Sequence, residues 1–131
     1  MEAKLKILTK QYDEVGNIDT IEVNTIGKMF EKNKDIYIVY EESEENQKVT
    51  TTLKISEEEV SIKRFGNVNS LMVFKEKNKH LTKFVIETET NKLTIDKSKN
   101  NYIKLNIEYN INILDLFKGK NEINILIEYN I

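Results

Sequence analysis

The sequence contains no cysteine, no proline and no tryptophan, and it has one histidine and one arginine among 131 residues. Without cysteine the chain cannot form a disulfide, a thiolate metal site or a cysteine nucleophile. The absence of thiols fits a reducing compartment, and the N-terminal stretch "MEAKLKILTKQYDE" lacks the apolar run of a signal peptide. We therefore expect a cytoplasmic protein.

Long apolar segments and an excess of positive charge are also missing. No stretch approaches the roughly twenty consecutive apolar residues of a membrane-spanning helix. The net charge is −2, whereas nucleic-acid-binding domains usually carry a basic stripe. We therefore expect neither a membrane nor a nucleic-acid partner. The length suits a single globular domain over residues 1–131, and 32% charged residues give it a well-solvated surface.

What the sequence does have is a strong two-residue periodicity, with apolar and polar side chains alternating. The longest examples are "YIKLNIEYNINI" at 102–113 and "EINILIEYNI" at 122–131, which share the string "IEYNI". Such alternation is typical of strands with one face on a core and one in water. Ten such segments occur, separated by turn-like stretches rich in Asn, Ser, Asp, Gly and charge. The only candidate helical turn lies in "LDLFKGKN", before Gly119.

These segments predict an all-β fold, a single antiparallel meander barrel of eight to ten strands. Consecutive hairpins form a meander, and closing it removes exposed strand edges. The alternative is a two-sheet sandwich. Within the second segment, Gly27 is predicted to bend or bulge the strand. The isoleucine-rich segment that ends at Ile131 is the predicted edge strand for pairing with a partner.

The order of these segments also resembles a known family. The most specific stretch is "VSIKRFGNVNSLMVF", with Arg64 followed by Gly66, and "YIVYEESEE" and "TTLKIS" support it. The chain resembles the YwiB-like family of small uncharacterised bacterial proteins along nearly its whole length. The resemblance implies a calycin-like β-barrel, related in architecture to lipocalins, and no agreed activity. At 88–91, "TETN" departs from the family's proline-containing turn, but Asn91 can take a left-handed conformation, so we expect a hairpin there.

Arg64 is the most informative single residue, because the other cationic side chains, histidine apart, are lysines. It is in phase with Val60 and Ile62, which places its guanidinium inside the barrel or at its rim. One interpretation is a buried polar cluster that fixes strand register, with Glu42 as a natural partner. Another is an anchor for an anionic ligand, and a third is an exposed arginine without a role. We favour the buried cluster.

Further side chains predicted to face the interior complete a candidate ligand-binding set. They are large or polar, and a small barrel has room either to pack them or to hold one small ligand. We favour a mostly filled barrel with a shallow mouth. The set is Arg64, Glu42, Tyr40, Tyr109, Tyr129, Met72, Phe74 and Phe84.

The sequence offers no recognisable catalytic or metal site. His80 is alone in the lysine-rich stretch "EKNKHLTK", where we expect an exposed loop residue, and one histidine cannot build a multi-histidine metal centre. Most carboxylates fall in charge runs, which are usually solvated faces. We therefore expect no cofactor, and an enzyme is only the third and least favoured hypothesis. The leading hypothesis is a module that binds a small, partly apolar or anionic ligand; the alternative is a structural or interaction module with a filled barrel, forming a homo-oligomer through an edge strand.

Overall fold

The structure, a computed structural model, describes residues 1–44, 47–66, 69–76, 79–81, 86–113 and 117–130. The described residues form ten β-strands, as the sequence periodicity predicts. The strands are β1 (Glu2–Tyr12), β2 (Ile18–Lys32), β3 (Asp35–Glu44), β4 (Gln47–Ile55), β5 (Glu59–Phe65), β6 (Ser70–Lys75), β7 (Lys79–Leu81), β8 (Ile86–Asp96), β9 (Tyr102–Ile113) and β10 (Phe117–Tyr129).

All ten strands belong to one antiparallel sheet, in the order β6-β5-β4-β3-β2-β1-β10-β9-β8-β7. Within the described part of the chain, consecutive strands pair except β6 and β7, and β1 also pairs with β10, from Ala3 opposite Tyr129 to Tyr12 opposite Lys120. The sheet curls until β6 approaches β7 and β8, with no paired ladder across that seam among the described residues. The result is a nearly closed meander barrel. This confirms the predicted all-β barrel over the sandwich alternative.

The hydrophobic core fills one end of the barrel. Side chains alternate along each strand, so the inward apolar residues of β1, β3, β4, β5, β6, β9 and β10 meet in one interior. Burying them supplies most of the stability of such a fold. The fully buried apolar side chains include Ile38, Leu53, Ile55, Val60, Phe74, Ile103, Leu105, Ile107, Ile125 and Ile127.

The strand boundaries differ from the prediction in the eighth strand. A hairpin was expected at Asn91, but β8 runs without a turn from Ile86 to Asp96. The register against β9 shifts by one residue between Thr90 and Lys92, so Asn91 is the extra residue of a bulge. Asn91 is therefore absorbed within a continuous strand. Turn-like composition here predicted a hairpin turn where the strand has a bulge.

Two other local predictions, a bulge at Gly27 and a loop at His80, are also wrong, whereas a bend at Gly27 stays a prediction. β2 continues through Gly27 in unbroken register with β1, without a bulge. The glycine is needed for a different reason: a Cβ there would lie 2.9 Å from the carbonyl oxygen of Val39. His80, predicted in a loop, lies in β7 opposite Thr88. The predicted helical turn in "LDLFKGKN" is excluded from Phe117 onward, which is strand, and its residues 114–116 lie outside the described part of the chain.

The C-terminal strand is not the edge that the sequence suggested. β10 pairs with β1 on one side and with β9 on the other. A strand flanked on both sides has no free ladder to offer a partner. The edge-strand prediction is therefore wrong for β10.

An edge is instead exposed in the middle of the barrel wall. β2 pairs with β1 over Ile18–Lys28, but with β3 only over Lys28–Lys32. The remaining part of β3, from Tyr40 to Glu44, pairs only with β4 among the described residues. The two strands therefore diverge from Gly27 towards the N-terminal end of β2. The opening that this leaves in the wall we call the lateral opening.

Candidate functional site

The barrel is hollow at the end opposite its core. A cavity of about 680 Å³ occupies this end and reaches the lateral opening. The favoured expectation was a mostly filled barrel with a shallow mouth; the described residues form a filled end and a cavity at the other end. A volume of this size lies within the range of small-molecule sites. The side chains that line it include Tyr40, Glu42, Ile62, Arg64, Met72 and Tyr109.

Several wall strands become more polar from the core towards the open end. On β3 the inward residues run from Ile38 through Tyr40 to Glu42. On β5 the sequence Val60 to Ile62 ends at Arg64. The same pattern occurs on β6, with Phe74, Met72 and Ser70, and on β10, with Ile125, Ile123 and Asn121. The cavity therefore has an apolar floor and a polar rim.

Arg64 and Glu42 face each other at this rim. The guanidinium nitrogen Nη2 of Arg64 lies 3.9 Å from the Oε2 oxygen of Glu42. The Arg64 side chain is 45% exposed and that of Glu42 is 19% exposed. The preferred interpretation of a buried arginine is therefore wrong. An ion pair this long and this exposed contributes at most about 1 kcal/mol to stability, so it leaves the guanidinium available to a ligand.

Two tyrosines lie one layer below the rim. Burial raises the pKa of Tyr40 far above its usual value; the negative charge of Glu42 raises it further, and the positive charge of Arg64 opposes this. Thr51 lies opposite Tyr40 across the β3–β4 ladder, close enough to affect the phenol, but its hydroxyl falls outside hydrogen-bond geometry. Tyr40 is therefore a neutral phenol at physiological pH, able to donate or accept a hydrogen bond.

Tyr109 stands on the other side of the same layer. Burial raises the pKa of Tyr109, whereas the hydrogen bond from Asn121 and the charge of Arg64 lower it. The Nδ2 group of Asn121 donates to the phenol oxygen at 3.0 Å. The ring of Tyr109 packs against Phe74, with centroids 4.8 Å apart. This packing fixes the ring between the core and the cavity.

The structure brings most of the predicted site residues together, but not all. Tyr40, Glu42, Arg64, Met72 and Tyr109 line one cavity. Phe74 lies beneath it, fully buried in the core. Tyr129 lies at the other end of the barrel, opposite Ala3. Phe84 lies outside the described residues.

Comparison with known proteins assigns the family. Residues 5–125 match the family described as Domain of unknown function (DUF1934). The chain belongs to this family.

A solved structure supports the same fold for this DUF1934 member. The crystal structure of the YwiB protein from Bacillus subtilis is similar at a TM-score of 0.85 and 23% identity, covering 99% of this chain and 92% of that one. The crystal structure of Ail, the attachment invasion locus protein of Yersinia pestis, matches at a TM-score of 0.34 and 9% identity, covering 98% of each chain. A likeness that weak carries no argument. No curated protein matches the chain. The predicted YwiB-like resemblance is confirmed, and the relation to calycins and lipocalins stays a prediction.

Several cavity residues of this DUF1934 member were not predicted. Asn121 extends the apolar phase of Ile123 and Ile125 by one step. Thr9 and Gln11 do the same for the inward side of β1. Continuing the two-residue alternation past the last apolar residue of each strand would have identified all three. On β2 the two-residue phase marks Ile21, Val23 and Thr25, whereas the exposure of Asn24 to the cavity depends on the divergence from β3.

The described residues offer neither a metal site nor a membrane helix. Within the described ranges, no group of three or more His, Asp or Glu side chains is placed to hold a metal ion. Within the same ranges, no helix is long and apolar enough to cross a membrane.

Proposed function

We propose that this protein is a non-catalytic binding module that holds a small, partly apolar ligand with an acidic group in the hollow end of its barrel. The observation that carries the proposal is the cavity of about 680 Å³, apolar at its floor and polar at its rim. A small-molecule site combines this kind of concave apolar surface with a few convergent polar groups. The same proposal places the protein in the cytoplasm, on the strength of its cysteine-free composition.

The acidic group of the ligand would bind at Arg64. A guanidinium presents a planar fork of donors that matches a carboxylate or a phosphate. Its present partner, Glu42, makes only one contact, at 3.9 Å. A ligand carboxylate could replace that contact at low cost and gain two hydrogen bonds. The neutral phenol of Tyr40, held beside Arg64, would supply a further donor.

The apolar part of the ligand would lie on the floor of the cavity. Ile62 and Met72 face it from β5 and β6, and Ile7 and Ile123 face it from β1 and β10. Apolar surface buried there contributes about 25 cal/mol per Å² before ordering costs are subtracted. Met72 can also adapt its shape to the ligand, because methionine is unbranched and flexible.

Two measurements test this proposal. Native mass spectrometry of the purified protein should reveal a bound small acid. The anionic apolar dye anilinonaphthalene sulfonate should bind with enhanced fluorescence. Replacing Arg64 by Met should weaken dye binding about tenfold, as expected for the loss of one charge-assisted contact.

Lys63→Met is the matched control, because Lys63 is the neighbouring cation on β5 and its side chain lies over the ring of Phe65 on the outer face. This variant should bind the dye as the unmodified protein does. Absence of both a co-purified acid and dye binding would overturn the proposal. Equal weakening in the two variants would assign the effect to general charge and not to Arg64.

A further inference from the structure

The lateral opening exposes the backbone of two strands that elsewhere would pair. On β2 the residues from Ile18 to Gly27 pair with β1 but not with β3. On β3 the residues from Tyr40 to Glu44 pair with β4 but not with β2. Among the described residues, both edges therefore present backbone groups with no ladder partner. Unpaired edge groups are a template for another extended chain.

The cavity lining shows that the edges themselves are accessible. In an intact wall only every second residue faces the interior, because side chains alternate. Here the four consecutive residues 40–43 of β3 line the cavity, as do the consecutive residues Val23, Asn24 and Thr25 of β2. The cavity thus extends between the two strands and reaches their edges.

β2 has little of the usual protection of an exposed edge. Natural edges are protected by proline, bulges, lysines or inward-pointing charges. The chain has no proline, and β2 keeps an unbroken register with β1. Its inward residues Ile21, Val23 and Thr25 carry no charge, and Asp19, at the outer end of the free edge, is its one inward-phase charge. Ile21 is 52% exposed although it faces the interior. An apolar inner face beside an open edge favours the pairing of β2 with a further strand.

We propose that the lateral opening binds an extended peptide segment of a partner protein, which adds to the free edge of β2 as an antiparallel strand. The free edge is ten residues long, so it can accept a segment of roughly 33 Å. Alternate side chains of the added strand point into the cavity, where Ile21 and Val23 provide an apolar surface. Those inward side chains are therefore apolar.

The charges around the opening select a basic segment. On the outer face of the two edges lie Glu22 of β2 and Glu41 of β3, whereas Asp19 and Glu42 are in phase with the inward residues. Glu22 pairs with Lys6 at 3.4 Å, and Glu42 pairs with Arg64. Within the described residues, Asp19 and Glu41 form no ion pair. Lysine or arginine side chains on the solvent side of the added strand complement Glu22 and Glu41.

A pair of synthetic peptides tests this directly on the intact protein. The first is a dye-labelled peptide of about nine residues in which valine and lysine alternate, matching the apolar-and-basic pattern. The second has the same sequence with N-methyl groups on alternate backbone nitrogens, which removes ladder donors and keeps every charge. Fluorescence anisotropy should give a micromolar Kd for the first peptide and binding at least about tenfold weaker for the second. Equal binding of both peptides, or no binding of either, would overturn the proposal.

Protein variants locate the binding. Val23→Lys places a charge on the inner face beside the free edge and should abolish binding of the peptide. Asn106→Lys adds the same charge to β9, a strand paired on both sides, and should leave binding unchanged. Arg64→Met separates this inference from the small-ligand site, because it removes a positive charge and should not weaken binding of a cationic peptide. If sedimentation instead shows a dimer that Val23→Lys dissociates, a second copy of the chain occupies the edge and the peptide proposal fails.

Discussion

The amide of Asn121 donates a hydrogen bond to the phenol oxygen of Tyr109 directly across the β9–β10 ladder. Both residues are buried, at 6% and 4% exposure. The same tyrosine ring packs on Phe74, so the pair connects the polar rim of the cavity to the hydrophobic core.

Breaking this pair should destabilise the fold. Asn121→Ala should lower the free energy of unfolding by about 1–2 kcal/mol, because it leaves a buried phenol without its donor. Tyr109→Phe should have a similar effect, and the double variant should fall short of the sum by about 1 kcal/mol. Urea denaturation measures all three, with Asn110→Ala, an exposed neighbour on β9, as the control. Strict additivity would show that the two side chains do not interact.

Stability should fall at alkaline pH because of the two buried tyrosines. Burial raises the pKa of both Tyr40 and Tyr109 in the folded protein. Unfolded tyrosine titrates near pH 10, so the unfolded chain releases these protons first. Their contribution is therefore complete below about pH 10 and is lost as pH rises towards the folded values. Denaturation across this range should show the decline, and replacing both residues by Phe should flatten it. An unchanged slope in the double variant would contradict the assignment.

Gly27→Ala should be costly although the added group is a single methyl. The new Cβ would meet the Val39 carbonyl oxygen at 2.9 Å and the Ile38 side chain at 3.0 Å. Overpacking of this kind costs about 1–3 kcal/mol. The control is Ile26→Ala on the adjacent, exposed position, where a change within about 0.5 kcal/mol is expected. A Gly27→Ala protein as stable as the control would mean that β3 can move away freely.

Lys34→Gly should stabilise the β2–β3 hairpin. Asn33 and Lys34 have φ values of 54° and 72°, as in a two-residue hairpin turn that favours Asn-Gly. Removing the Cβ at Lys34 relieves a left-handed conformation worth about 1 kcal/mol. Thermal unfolding should show a higher Tm for this variant, whereas Lys97→Gly in another exposed connection should not raise it. A lower Tm for Lys34→Gly would contradict the claim that the backbone at Lys34 is strained.

Thr90→Val should also stabilise the protein. The Thr90 side chain is buried at 1% exposure and its hydroxyl has no hydrogen-bond partner. Replacing it by a methyl of similar shape removes a desolvation cost of about 1 kcal/mol or more. The exposed Thr20→Val provides the comparison, with little expected change in urea denaturation. Destabilisation by Thr90→Val would imply that the hydroxyl has a partner after all.

Strand number and the inward faces could be predicted because alternation is a local property. Arg64 was correctly placed on the inner side, in phase with Val60 and Ile62. The predictions that failed depend on tertiary context. Composition around Asn91 is that of a turn, but pairing with β9 absorbs it as a bulge.

The cavity was less predictable than the strands. Its inward residues follow from phase, but its volume depends on how far β2 departs from β3. That departure begins where Gly27 closely approaches Val39, a contact between residues of two different strands. No local sequence pattern predicts this contact. The alternation of apolar and polar residues shows which side chains face inward, but it cannot distinguish a filled barrel end from a hollow one.

The pairing of β1 with β10 has a consequence for how the chain folds. This ladder joins Ala3 to Tyr129, so the barrel is held together by strands from opposite ends of the sequence, while the seam lies between β6 and β7. During synthesis β1 can pair with β2 early but must wait for the last strand to emerge before its other edge is covered. Loop closure over nearly the whole chain also slows refolding relative to a protein with only local hairpins. Until β10 pairs, no ladder among the described strands joins the sheet of β1–β6 to the sheet of β7–β9.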